Sequence, residues 1–277
     1  MSDTDRPATD QAALWNGGGG DTWVRMQPVL DDLFAPVSDL LVGAVGDAVG
    51  GGGRVLDVGC GTGATTLALA RRGEATGVDV SVPMIELARR RAADEGSPAR
   101  FVVADAQRYA FDPGGADVVA SRFGVMFFDD PVAAFANLHR AVASGGALRM
   151  VVWRSAEENP FMTTGPRAAA SVLTVPTPPP DAPGQFALAD PDRVRTVLGD
   201  GGWQDVAVDP VDVTTAMPAA DLEDYALSMG PVGRLLPGLD DATRARVAEL
   251  VVPAFEQFVV DGSARIELAC WLVSARA

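Results

Sequence analysis

The sequence predicts a doubly wound α/β fold, in which a mostly parallel sheet has helices on both faces. Three observations support this prediction. Short apolar segments alternate with segments of helical periodicity between residues 54 and 154. A turn with three alternating glycines, residues 59–63, follows the first apolar segment. The connecting segments are long enough for helical crossovers, which are right-handed and place successive parallel strands in one sheet.

We expect five parallel strands in this region, with helices between them that begin at polar caps and end at glycines. Ser81 is the clearest cap, because Pro83 follows it in the first helical turn. The predicted strands are 54–58, 75–80, 100–104, 116–121 and 147–153, and the predicted helices are 64–72, 82 to about 96 and 131 to about 142. Upstream, residues 14–49 have helical spacing interrupted by glycines 17–20, Pro28 and Pro36, which predicts two or three helices.

The alternation of strands and helices stops after Trp153. Five prolines between residues 176 and 183 exclude a regular helix or a central strand there. We therefore expect residues 155–190 to form an insertion that covers a site, with a short helix near 164–173. The remaining predicted elements are a helix that begins at Asp190 and stops at Gly201, strands 203–214 and 264–275, and helices 222–229 and 240–260.

The charge balance excludes several classes of partner and of chemistry. The formal net charge is −15, and all 22 basic residues are arginine. Nucleic acid and anionic membrane surfaces would be repelled, so we expect neither as a partner. Without lysine, the chain can form no Schiff base with pyridoxal phosphate and has no lysine-bearing phosphate loop.

Metal-binding and membrane-spanning patterns are also missing from the sequence. The single histidine, His139, cannot build a multi-histidine site. Cys60 and Cys270 lack the spacing of zinc or redox pairs, so we expect no metal. No apolar run reaches the roughly 18 residues of a transmembrane helix. The polar, acidic first residues do not resemble a signal peptide, and we expect a cytoplasmic protein.

The turn at residues 59–63 has the features of a site for a nucleotide-like cofactor. Glycine lets the backbone bend tightly and approach a ligand without a side chain in the way. The following helix points free N–H groups and its positive dipole end at the same place. Gly59, Gly61 and Ala64 also satisfy the dinucleotide pattern G-x-G-x-x-A. Asp57, two residues before the turn, favours a different cofactor class.

Residues 55–63 resemble the first motif of class I S-adenosylmethionine-dependent methyltransferases, and the resemblance extends over at least residues 54–154. Asp79 lies in a segment that resembles the second motif, which implies that its carboxylate accepts hydrogen bonds from both ribose hydroxyls. Asp105, in a segment similar to the third motif, would accept from the adenine amino group. Arg122 lies in a segment that resembles the one contacting the methionine end of the cofactor.

The resemblance implies S-adenosylmethionine as cofactor and S-adenosylhomocysteine as product. The implied cofactor-binding residues are Asp57, Gly59, Cys60, Gly61, Asp79, Val80, Met84, Asp105, Ala106 and Arg122. It also implies a seven-stranded sheet of order 3-2-1-4-5-7-6 with the last strand antiparallel. Residues 1–277 would then form one domain. Its parts would be an N-terminal helical cover (1–50), a cofactor-binding core (51–154), the Pro-rich insertion (155–190) and the C-terminal half of the sheet (191–277).

Two further segments resemble the ubiquinone/menaquinone-type subgroup of this family. They are Trp15–Gly17 together with Trp23, and Trp153 followed by Asn159–Phe161. This resemblance implies a small-molecule acceptor. The expected walls of its site are Trp15, Trp23, Phe123, Trp153 and Phe161. We assign no catalytic residue from the sequence, and we expect a monomer or a homodimer.

The expected reaction is transfer of the sulfonium methyl group to an oxygen or carbon atom of the small acceptor by in-line displacement. Orientation of the reactants provides a large part of the catalysis in such a reaction. Two alternatives stay open. A protein with a non-methylating role would bind S-adenosylmethionine without transferring the methyl group. An NAD-dependent oxidoreductase would bind NAD and would not bind S-adenosylhomocysteine.

Overall fold

The computed structural model describes residues 11–50, 52–176, 179 and 182–277. The helices are α1 (Gln11–Asn16), α2 (Gly18–Arg25), α3 (Gln27–Val49), α4 (Ala64–Ala70), α5 (Val82–Glu95), α6 (Pro131–Ala141), α7 (Pro160–Ala169), α8 (Pro191–Asp200), α9 (Leu222–Ser228), α10 (Gly230–Leu235) and α11 (Asp241–Ala254). The strands are β1 (Arg54–Val58), β2 (Glu74–Asp79), β3 (Arg100–Val103), β4 (Ala116–Arg122), β5 (Val142–Trp153), β6 (Gln204–Pro218), β7 (Val259–Val260) and β8 (Ser263–Arg276). Within these described ranges, no helix is both long and apolar enough to cross a membrane.

The strands of the described residues form one sheet in the order β3-β2-β1-β4-β5-β8-β6, and the short β7 pairs with β8 alone. Strands β1 to β5 run parallel, whereas β8 is antiparallel to both β5 and β6. The predicted strand order is confirmed, with β8 in the place of the seventh strand. The carboxyl ends of β1 to β4 therefore meet at one edge, where doubly wound sheets bind ligands.

Strand β1 lies at the centre of this edge and is covered on both faces. Val55, Leu56 and Val58 are between 1% and 6% exposed, which is typical of a central parallel strand. Its register places Asp57 beside Gly77 of β2 and Ala120 of β4. The glycine turn that follows β1 is thus anchored between two neighbouring strands.

Helix α3 runs unbroken from Gln27 to Val49, so the expected interruption at Pro36 was wrong. Proline removes one N–H donor and costs a helix interior about 3 kcal/mol. Eight residues of α3 are buried, and this packing outweighs the lost hydrogen bond. The Thr215 hydroxyl of β6 also donates to the Leu33 carbonyl, in the turn before the proline, at 2.7 Å. Tertiary contacts therefore maintain a helix that local sequence rules would break.

The helix expected over residues 240–260 ends earlier than the sequence pattern indicated. Helix α11 stops at Ala254, directly after Pro253 in its last turn, and residues 259–260 form β7 instead. Asp261 and Gly262 have φ angles of 51° and 79°. A two-residue turn with positive φ at both positions favours a hairpin, and β7 folds back on β8.

Helix α10 (Gly230–Leu235) was not predicted, and the other differences from the predicted elements lie at element ends. Helix α7 begins at Pro160 rather than near residue 164, because proline suits the first helical position. Strand β5 begins at Val142 and includes Gly145, where a helix stop was expected. Strand β6 continues to Pro218, since its pairing with β8 extends that far.

We predict that Thr215→Val destabilises the protein by about 1–3 kcal/mol, because the buried Leu33 carbonyl loses its donor at nearly constant side-chain volume. Thr215 is 6% exposed. The matched control is Thr214→Val on the same strand, whose hydroxyl bonds Glu267 at the surface. Urea unfolding would measure both variants. Equal unfolding free energies for the two would contradict the stabilising role of the Thr215 hydroxyl.

Candidate active site

Two turns meet backbone to backbone at the carboxyl ends of β1 and β4. Gly59 has a φ angle of 67°, and an added Cβ there would lie 2.4 Å from the Cα of Gly124. The Ser121 hydroxyl of β4 donates to the Val58 carbonyl at 2.7 Å and holds the two strand ends together. Glycine is therefore required at residue 59 both by its φ angle and by this close approach.

The carboxylate of Asp79 fixes the position of the glycine turn. Its two oxygens accept N–H hydrogen bonds from Gly61 and Ser81, each at 2.9 Å. Asp79 is 9% exposed, and it lines the central cavity. Burial raises the pKa of Asp79, and the N–H bonds from Ser81 and Gly61 oppose that rise. Each oxygen retains acceptor capacity for a donor in the cavity.

Asp57 lies beneath the glycine turn and is not part of the cavity wall. It is 1% exposed, and the Thr66 hydroxyl donates to its carboxylate at 2.6 Å. Burial raises the pKa of Asp57 to about 6, although the Thr66 bond and the charge of Arg122 oppose the rise. Asp57 was implied as a cofactor contact by the family resemblance; in the structure its carboxylate ties the end of β1 to α4.

The other residues implied as cofactor contacts all line one cavity. They are Gly59, Cys60, Gly61, Asp79, Val80, Met84, Asp105, Ala106 and Arg122. Burial raises the pKa of the Cys60 thiol well above its usual value, so this residue stays protonated. Asp105 accepts from the backbone N–H of Gln107 at 2.9 Å. Gln107 and Arg108 also line the cavity, and sequence reasoning missed them although they directly follow the predicted residues Asp105 and Ala106.

The N-terminal helices close the cavity above the end of β2. The Ser81 hydroxyl donates to the Trp15 carbonyl at 2.6 Å. The Asn16 side chain accepts from the Val82 N–H at 2.8 Å and donates to the Val80 carbonyl at 3.0 Å. These bonds hold α1 against the start of α5. They place the indole of Trp15 in the cavity wall.

Packed aromatic rings continue the wall across β4 and β5. Phe123 and Trp153 stack with 4.1 Å between ring centroids and 5° between ring planes. Phe34 lies 5.5 Å from Phe123 and 6.1 Å from Trp153, and Trp23 lies 6.4 Å from Phe34. Phe123 has a φ angle of 66°, a strained conformation for a bulky residue. The cavity wall thus includes Trp15, Trp23, Phe123 and Trp153, all of which were expected there.

Arg122 reaches the cavity from the end of β4. One guanidinium nitrogen donates to the Ser38 hydroxyl at 2.8 Å, and the guanidinium lies 5.4 Å from the centre of the Phe34 ring. Burial lowers the pKa of Arg122, and the charges of Asp31 and Asp57 oppose the shift. Arginine remains protonated in proteins. The guanidinium nitrogens other than this one have no hydrogen-bond partner among the described residues, so they can bind an anionic group.

A second part of the lining, which we call the aromatic chamber, comes from α7, α9 and α10 and from residues of β8 and the end of α11. Its members are Phe161, Met162, Gly165, Pro166, Tyr225, Ala226, Met229, Gly230, Pro231, Val232, Arg234, Phe255 and Leu268. Phe161 lies 5.1 Å from Tyr225 and 5.2 Å from Phe255 between ring centroids. Only Phe161 was expected here. The other residues belong to no motif, and no short sequence pattern identifies them as lining residues.

The entire cavity has a volume of about 280 Å³, at the lower end of the range for small-molecule sites. Its ionisable lining residues are Cys60, Asp79, Asp105, Arg108, Arg122, Asp129, Tyr225 and Arg234. His139 packs edge-on against Trp203 at 5.3 Å and does not line the cavity. Within the parts of the chain that the structure describes, no three His, Cys, Asp or Glu side chains gather as potential metal ligands.

Comparison with known proteins shows the family to which the chain belongs. A family model described as a methyltransferase domain matches residues 55–146. A demethylmenaquinone methyltransferase of Renibacterium salmoninarum is 30% identical over 173 residues, 58% of this chain and 71% of that relative. The demethylmenaquinone methyltransferase of Thermus thermophilus is 40% identical over 98 residues, 34% of this chain and 44% of that relative. An uncharacterised Mycobacterium tuberculosis protein is 34% identical over 124 residues, 44% of each chain. This chain therefore covers less than half of the length of the Mycobacterium tuberculosis and Thermus thermophilus relatives.

Solved structures share the fold at low sequence identity. The magnesium protoporphyrin IX methyltransferase of Synechocystis, solved with bound S-adenosylhomocysteine, has a TM-score of 0.57 and 17% identity over 96% of this chain and 98% of its own. A methyltransferase-like protein of Bacillus halodurans has a TM-score of 0.56 and 17% identity over 85% and 97%. The chain belongs to the S-adenosylmethionine-dependent methyltransferases. Within that family it resembles the menaquinone-type enzymes.

We predict that Asp57→Asn gains stability relative to the parent protein as the pH rises. The pKa of Asp57 is raised from 3.8 to about 6 on folding. Between these values the folded state binds more protons than the unfolded state, so the parent protein loses stability as the pH rises. Asparagine keeps an acceptor for Thr66 and does not titrate. Its advantage in unfolding free energy should grow by roughly 1 kcal/mol between pH 5 and pH 7.5 in urea titrations. A difference that does not change with pH would contradict this account.

Proposed function

We propose that the protein transfers the methyl group of S-adenosylmethionine to an oxygen or carbon atom of a small, largely apolar acceptor. The observation that supports this most directly is a single cavity that extends from the glycine turn and Asp79 to the aromatic chamber. One end offers bare backbone and a carboxylate, which suit a nucleoside. The other end offers apolar walls, which suit an acceptor.

The residues at the first end fit S-adenosylmethionine. Asp79 has acceptor capacity left on both oxygens, which matches a vicinal diol. Gly59 and Gly61 leave the backbone free of side chains where a ligand would approach. Arg122 offers unpartnered N–H groups for the carboxylate of the methionine moiety. Asp105 is available to accept from an adenine amino group.

When bound, S-adenosylmethionine supplies a methyl group that is already activated by a positively charged sulfur. The chain then has to orient the acceptor and to exclude water, and orientation alone contributes several kcal/mol. The stacked rings of Phe123 and Trp153 and the rings around Phe161 serve both purposes, because they form apolar walls held by packing. His139 lies outside the cavity, and we assign it no role in proton transfer.

The character of the acceptor is supported by the walls and by the relatives. The aromatic chamber is lined chiefly by apolar groups, as a largely apolar small molecule requires. Two relatives are named as demethylmenaquinone methyltransferases, which act on a small molecule. The net charge of −15 disfavours a nucleic-acid acceptor.

We predict that S-adenosylhomocysteine binds the protein and that Asp79→Asn weakens this binding at least about tenfold, because the amide offers one acceptor oxygen in place of two. The matched control is Asp117→Asn in β4, whose carboxylate pairs with Arg54 at 2.6 Å on the surface. This control should bind normally. Isothermal titration calorimetry measures both variants, with NAD as a second ligand. Binding of NAD without binding of S-adenosylhomocysteine would overturn the proposal.

Methyl transfer is tested separately, with S-adenosylmethionine and a panel of phenolic and quinol acceptors. We expect a methylated product by mass spectrometry, with S-adenosylhomocysteine formed in equal amount. Tight binding of the cofactor without transfer to any acceptor would support the non-methylating role instead.

A further inference from the structure

The aromatic chamber has two polar side chains among its lining residues, and both can donate hydrogen bonds. Apart from Tyr225 and Arg234, its side chains are those of Phe, Met, Pro, Gly, Ala, Val and Leu. Among these lining residues there is no carboxylate and no amide. The chamber therefore presents hydrogen-bond donors in an otherwise apolar wall.

Tyr225 is the first of these two donors, and it lines the cavity. No described residue makes a hydrogen bond to this hydroxyl, although the ring packs 5.1 Å from Phe161. Burial raises the pKa of Tyr225 above its usual value, so the group remains an O–H donor at any physiological pH. A partly buried hydroxyl with no partner gains free energy when a ligand supplies an acceptor.

Arg234 is the second donor, and it lies at the edge of the chamber. The other two arginines of the cavity have partners: Arg108 lies 3.5 Å from Asp105, and Arg122 bonds Ser38. Arg234 has no ion pair or hydrogen bond among the described residues, and part of this residue is exposed to solvent while part lines the cavity. Partial burial lowers the pKa of Arg234, but arginine keeps its charge.

The positive charge of Arg234 is opposite in sign to the net charge of the protein. The protein has a formal net charge of −15, yet the only ionic side chain of the chamber is a cation. A guanidinium and a neutral hydroxyl in the same apolar lining match an anionic oxygen group, since a planar carboxylate accepts from both arginine and tyrosine. A cationic acceptor would be repelled, and a fully apolar acceptor would leave the hydroxyl unpaired.

We propose that Tyr225 and Arg234 recognise a carboxylate on an otherwise apolar, aromatic acceptor, so that the substrate class is aromatic carboxylates. This inference rests on the proposed function, because it treats the chamber as the acceptor end of the cavity. Tyr225 and Arg234 act in binding and orientation of the acceptor, and neither is assigned a chemical step.

The test compares two probes of equal shape, 2-naphthoate and its neutral amide, 2-naphthamide. Their affinities for the protein are measured by tryptophan fluorescence and calorimetry, with and without S-adenosylhomocysteine. We expect naphthoate to bind at least about tenfold more tightly than naphthamide. Arg234→Gln should remove this preference, and Tyr225→Phe should weaken naphthoate binding about fivefold. The matched control is Arg246→Gln, because Arg246 pairs with Glu249 on the surface of α11 and lies outside the cavity.

Reversing the charge at residue 234 distinguishes recognition of the ligand's charge from a merely structural role of Arg234. Arg234→Glu should reverse the selectivity, so that 2-naphthylmethylammonium binds more tightly than naphthoate. Equal affinity of the parent protein for naphthoate and naphthamide, or binding of neither, would overturn the inference. So would an equal effect of Arg234→Gln on both probes. Failure of the proposed function is seen independently, as absence of S-adenosylhomocysteine binding, and it leaves the comparison of probes unaffected.

Discussion

The hydrogen bonds to the Asp79 carboxylate hold together the parts from which the site is built. They join the turn after β1, through Gly61, to the end of β2 and to the first residues of α5, through Ser81. Ser81 extends this connection, because its hydroxyl accepts from the Met84 N–H and donates to the Trp15 carbonyl. One buried carboxylate thus positions the glycine backbone, a helix start and the N-terminal helices. Its burial is unfavourable for the charge, and the two N–H bonds offset part of that effect.

The two ends of the cavity are held in place by different forces. Backbone hydrogen bonds at the strand ends fix the proposed cofactor end, whereas side-chain packing around Phe161 fixes the proposed acceptor end. Asn159 connects the two, since its buried amide both donates to and accepts from the Ala269 backbone of β8, at 3.0 Å each. This pair of bonds anchors the start of α7 on the sheet. The chamber is therefore attached to the same sheet that forms the cofactor end.

Sequence reasoning predicted the sheet, and it predicted residues that the structure brings together around the glycine turn, because the signals of both are local. The glycine turn and Asp79 lie at strand ends, and parallel strands bring their ends to one edge. The motif did not predict which face of the sheet the Asp57 side chain would lie on, because strand residues alternate between faces. The side chain lies on the face that α4 covers. The continuity of α3 through Pro36 depends on burial of the helix, which local rules do not include. Tyr225 and Arg234 were not predicted as site residues, because antiparallel β8 and the helices before it bring distant segments together and no short sequence pattern indicates this.

The proposed acceptor end can be redesigned without changing the residues of the proposed cofactor end. Helices α9 and α10 form one excursion between β6 and α11, and they contribute side chains to the chamber but none to the glycine turn. A combinatorial library directed at Tyr225, Met229, Val232 and Arg234 would vary the shape and charge seen by the acceptor. The backbone hydrogen bonds around Asp79 would stay as they are. Such a division suits laboratory evolution, because new acceptors can be selected while binding of the donor is kept constant.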